Sequence, residues 1–114
     1  MGLMREVRVE SDLLRRALAR EDFLLFDGGM GTLVQQAGLA KVHENPDVLN
    51  LTHPDEIAAI QRQYVEAGAQ CITTNTFGSN RLKLAGTGAT VAEVHAAAVE
   101  VARAAGAPLV AGDI

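Results

Sequence analysis

The chain has 114 residues, 48% of them apolar and 21% charged, with a net charge of −4. That length holds one small domain, and that balance excludes a disordered chain. The charges are mixed without a basic stripe, no apolar run reaches the roughly 20 residues of a membrane span, and no signal-peptide core opens the chain. Nucleic acid and membrane are therefore not expected partners. Cys71 is the only cysteine and cannot form an internal disulfide, which fits a cytoplasmic protein.

Residues 1–10 show no clear period, and Ser11 then offers an N-cap for a helix bearing Leu14, Ala17 and Leu18 on one face. Phe23-Leu24-Leu25-Phe26 is an apolar run too short for a helix, and predicts a strand buried on both faces. It leads into Asp27-Gly28-Gly29-Met30-Gly31-Thr32 and a short helical stretch closed by Gly38. Residues 39–51 read as an irregular loop. Thr52-His53-Pro54-Asp55 gives a capping residue, an early proline and an acid, and so predicts a helix with Ile57, Ile60 and Tyr64 on one face and Gly68 as its stop.

Gln70 to Asn75 reads as a second strand, followed by a loop over Thr76–Asn80 and a short turn carrying Leu82 and Leu84. Thr90 and Glu93 form a capping box for a helix whose apolar face is Val91, Val94, Ala98, Val101 and Ala105, and Gly106 ends it. Pro108 to Gly112 begins a third strand. The expected class is α/β: a βαβαβ arrangement of parallel strands with right-handed crossovers, preceded by a lead-in helix. Three strands cannot close a parallel barrel, which takes eight strands and about 250 residues. The sequence thus reads as the opening part of a longer barrel, with residues 1–21 as an extension and residues 22–114 as the partial barrel domain.

Working groups in parallel α/β folds gather at the C-terminal ends of strands. The first such end is Asp27 with Gly28 and Gly29. Glycines let a ligand approach the backbone, amides at a helix start accept a carboxylate, and Asp27 can pair with an ammonium group. The set suits the two ends of an amino acid, and a tight turn capped by Asp27 fits the same residues. The loop does not read as a dinucleotide site, because Val34 stands where the third glycine of that fingerprint belongs. The second strand end offers Thr73, Thr74 and Asn75 as polar partners, although threonine is also common in strands. His43, His53, His95 and Cys71 show no metal-ligand spacing.

Leu25 to Thr32, Asn50-Leu51-Thr52-His53-Pro54, Tyr64 to Ala69, Thr74 to Gly78, Asn80 to Leu84 and Val110-Ala111-Gly112 together resemble the opening of homocysteine S-methyltransferase domains. The resemblance implies a (β/α)8 TIM barrel that methylates the homocysteine thiolate to give methionine. It implies substrate contacts at Asp27, Gly28, Gly29, Thr74 and Asn75, and no catalytic or metal residue within this chain. It also implies a cysteine-held zinc whose ligands lie on later strands, with cobalamin and methyltetrahydrofolate possible through other domains. Three departures stand out: those cysteines are absent, Thr73 occupies a position where many members have glutamate, and Gly78 replaces the tyrosine of the betaine-using branch. A non-catalytic amino-acid-binding or self-assembling fragment is the competing expectation. Unpaired strand edges lead us to expect a homo-oligomer.

Overall fold

The computed structural model describes residues 8–41 and 44–114, so His43 and the first seven residues lie outside the described residues. The first helix, α1 (Asp12–Leu18), starts where Ser11 accepts the Leu14 amide at 3.2 Å. None of its residues is buried; Leu14 and Ala17 are half-buried and Leu18 is exposed. Helix α2 (Gly31–Gln36) follows the glycine loop, and Gly38 stops it in the left-handed region at φ +72°.

The stretch expected as a loop is partly helical. A 3-10 turn (Pro46–Val48) capped by Asn45 runs into α3 (Leu49–Thr52), and α4 (Pro54–Glu66) follows at once. The reason is local. Asn45-Pro46-Asp47 is itself a cap, a proline at the first position and an acid. Thr52 consequently closes α3 instead of capping α4. Its hydroxyl meets His53 Nδ1 at 2.8 Å, and His53 takes the cap position without a side-chain bond.

Strand β1 (Cys71–Thr73), helix α5 (Val91–Ala104) and strand β2 (Leu109–Ala111) complete the order. The capping box on α5 is present as expected. The strands pair in parallel, with Ile72 opposite Val110, as a crossover through α5 requires. Between Phe23 and Phe26 the expected buried strand is reduced to one parallel bridge, Phe26 to Cys71. Phe23 is 88% exposed, and Leu25 and Phe26 are also exposed. Pairing needs partners on both sides, and among the described residues this segment has one, so it is a mixed α/β chain with two parallel strands.

Its core has two parts. Val34, Leu49, Ile57, Ala58, Ile60 and Val101 pack α2, α3, α4 and α5 together. Ala69, Ile72 and Ala102, flanked by Tyr64, Val65 and Val110, join the helices to the sheet. This layer fixes where the strand ends point.

Candidate functional site

The bridge at Phe26 and the two strands run parallel, so their C-terminal ends open on one side. Asp27, the Thr73–Gly78 segment and Asp113 gather there, and Glu44 to Asp47 closes the far side. Together with Gly28 to Gly31 and Lys83 they line a cavity of about 700 Å³. Both strand ends singled out from sequence therefore face one space.

Asp27 is the best-defined group. Its Oδ1 accepts the Thr73 hydroxyl at 2.8 Å and its Oδ2 accepts the Thr73 amide at 3.1 Å, while its own amide bonds Cys71 O at 3.1 Å. A carboxylate has about four acceptor sites. Two are occupied here, which aims the group yet leaves acceptors for a cation. Thr73, which the sequence offers both as a polar partner and as an ordinary strand residue, is thus what orients Asp27.

Gly28 and Gly29 differ in surroundings. A Cβ on Gly28 would meet the Tyr64 ring at 3.1 Å, whereas one on Gly29 would meet nothing within 4 Å. Gly29 is open to a ligand.

Thr74 is buried and tied into the wall. The Thr76 hydroxyl donates to Asp113 O at 2.6 Å, and Asp113 N donates to Thr74 Oγ1 at 3.0 Å. The 2.8 Å contact between the two threonine hydroxyls must then run from Thr74 to Thr76, because Thr76 has one proton and has used it. Thr74 thereby locks the end of β1 to the end of β2. Asn75 donates to Pro46 O at 3.0 Å, and its carbonyl receives Asn50 Nδ2 at 2.8 Å. Among the described residues its Oδ1 has no partner.

Sequence reading missed Asp47, which is 1% exposed and forms part of the same wall. Its Oδ2 accepts Gly78 N at 2.5 Å and Ser79 Oγ at 2.8 Å, and Asn45 Nδ2 donates to Gly78 O at 3.0 Å. Burial pushes the Asp47 carboxyl up, and the charge of Asp113 adds to that, against the hydrogen bonds from Ser79 and Gly78. The signal in the sequence is the Asn45-Pro46-Asp47 cap, which lies inside the stretch that reads as an irregular loop. Lys83 Nζ lies 4.7 Å from the Phe77 ring centroid at the same wall. Four acids, Asp27, Glu44, Asp47 and Asp113, line the cavity with this one lysine, so the field favours a ligand carrying a positive group.

The remaining candidates do not converge on it. His53 is exposed, and His95 on α5 contacts Ser79 O at 3.3 Å. Cys71 is buried, and burial, with the charge of Asp27, pushes its thiol up, away from thiolate chemistry. Among the described residues no three His, Cys, Asp or Glu side chains converge as metal ligands. These residues therefore do not fit a zinc ion. Elemental analysis of the purified chain is expected to return no stoichiometric zinc. One tightly held zinc per chain would show that expectation to be wrong.

Against known families, residues 24–114 match the homocysteine S-methyltransferase model. The chain belongs to that family. Methionine synthase from Mycobacterium leprae is 40% identical over 76 residues, covering 62% of this chain and 6% of the relative. Methionine synthase from Mycobacterium tuberculosis is 44% identical over 59 residues, covering 47% of this chain and 5% of the relative. Among solved structures, the metallated form of the homocysteine methyltransferase MmuM from Escherichia coli superposes with a TM-score of 0.66 at 25% identity. That likeness covers 85% of this chain and 39% of MmuM. The chain thus spans a small part of its methionine synthase relatives and under half of MmuM. Family membership accords with the resemblance carried by the glycine loop and the Thr74–Gly78 segment.

Proposed function

We propose that this chain is the homocysteine-binding opening part of a homocysteine S-methyltransferase, in which residues 22–114 supply the first strands of a (β/α)8 barrel and residues 1–21 precede it. The reaction transfers a methyl group to the homocysteine thiolate and gives methionine. The observation that carries this reading is the Asp27 carboxylate, oriented by Thr73 beside an open Gly29 in an acid-lined cavity. Asp27 receives the substrate ammonium. Gly28 and Gly29 let the amino-acid end lie against the backbone, Thr74 holds the wall, and Asn75 presents its free amide oxygen. A cysteine-held zinc, as the family resemblance implies, would hold the homocysteine thiol as its thiolate, and none of the described residues would ligate it. Gly78 disfavours betaine as methyl donor and favours the methionine-synthase-like group, in which cobalamin and methyltetrahydrofolate serve through other domains. A cytoplasmic setting suits the lone Cys71.

Calorimetric titration of homocysteine into the chain tests this. Asp27→Asn keeps an acceptor for Thr73 but removes the charge, so binding should weaken by about 1.5–3 kcal/mol, the range of a charged hydrogen bond. Equal affinity in variant and wild type would return Asp27 to capping the strand end.

A second reading, self-assembly, draws on the exposed Phe23, Leu25 and Phe26 beside the sheet. It is compatible with the first.

A further inference from the structure

Helical spacing puts Tyr64 on the core-facing side of α4, and it does flank the helix–sheet cluster. Its outer end does something else. The hydroxyl donates to Gly29 O at 2.6 Å. The ring edge stands where a Gly28 Cβ would be, with Cε1 and Oη both 3.1 Å from that position. One side chain thus touches both glycines of the loop that follows the Phe26 bridge.

The geometry has a directional consequence. A trans peptide is planar, with its carbonyl and its N–H pointing opposite ways, and among the described residues no peptide is cis. Fixing Gly29 O on the Tyr64 hydroxyl therefore turns the Met30 N–H away from α4. Gly28 to Gly31 line the cavity, and Tyr64 does not. Gly29 has no side chain of its own to hold this orientation, and nothing described stands within 4 Å of its Cβ position.

We propose that Tyr64 is a positioning residue for the ligand of this cavity: its ring backs Gly28 and its hydroxyl sets the Gly29–Met30 peptide, so that the glycine backbone presents a fixed surface beside Asp27. This rests on the reading of the cavity as an amino-acid site. Tyr64 touches no ligand and acts through the two glycines alone. A glycine pair left to itself samples many conformations, and ordering it at the moment of binding lowers affinity.

Tyr64→Phe removes one hydroxyl and keeps the ring, so the fold is retained. Two readouts decide the matter, homocysteine affinity by calorimetry and backbone order at Gly29 and Met30 by 15N relaxation. The variant should bind homocysteine about two- to tenfold more weakly, the effect of one neutral hydrogen bond. Its Gly29 and Met30 amides should lose order while the α5 amides and the thermal midpoint stay as in the wild type. Binding equal to wild type overturns the proposal, as does unchanged order at both amides. A wild-type chain that binds no homocysteine overturns the proposed function instead, and the amide order of the variant then decides for or against Tyr64.

Discussion

Asp47→Ala should destabilise the fold by about 2–4 kcal/mol, because it strips two donors of their shared acceptor at roughly 1–3 kcal/mol each. Those donors, the Gly78 amide and the Ser79 hydroxyl, both use Oδ2. Some of the loss is offset by no longer burying a charge. Asp47→Asn keeps an oxygen at that position, so it should cost much less. The pair of variants separates the hydrogen bonds from the charge. Urea unfolding checks both, and an Ala variant as stable as wild type would show that the wall stands without Asp47.

The same carboxyl gives a pH dependence with a definite sign. Burial holds its folded pKa above the roughly 3.9 of an unfolded aspartate. The fold thus prefers the protonated form. The stability this contributes is complete below the unfolded value and is lost as pH rises through the folded one. Taking wild type minus Asp47→Asn cancels the other carboxylates. That difference should turn against wild type as pH rises from below about 4 towards neutrality. A difference that is flat with pH would place Asp47 in contact with solvent.

Local signals carried the sequence reading furthest. The Thr90–Glu93 capping box, the glycine stops at Gly38, Gly68 and Gly106, and the face of Ile57 and Ile60 depend on neighbours within a few residues, and all are present. Asp27 and Asn75 came together because parallel strands put their ends on one side. What failed depends on distant partners. Phe23 to Phe26 has the composition of a buried strand, yet composition does not supply the strands that would bury it. Asp47 was hidden because its meaning lies in Gly78 and Ser79, about thirty positions away. Tyr64 has helical spacing at its base and a polar tip that spacing cannot see.

The unburied strand run leads to the second large effect, on assembly. Phe23-Leu24-Leu25-Phe26 and Leu109 to Gly112 carry none of the charges that normally guard a sheet edge. Several backbone groups on the first run are already satisfied internally: Leu25 N donates to Gln70 Oε1 at 2.9 Å, Leu25 O accepts the Gln70 amide at 2.7 Å, and Phe23 N donates to Asp22 Oδ1 at 2.8 Å. The side chains are not. With about 150–250 Å² on each aromatic residue, Phe23, Leu25 and Phe26 offer roughly 400 Å² per copy. Two copies covering that surface gain about 20 kcal/mol gross at roughly 25 cal/mol per Å². Association costs about 4–15 kcal/mol, with side-chain ordering and polar desolvation in addition, so the gross gain and the cost are of similar size and the exposed run tips the balance. The chain is therefore expected to sediment as a dimer or larger species at tens of micromolar. Phe23→Lys combined with Leu25→Glu should shift it to monomer without touching the cavity. A compact wild-type monomer at those concentrations, unfolding in one cooperative step, would show that the exposed run does not drive assembly.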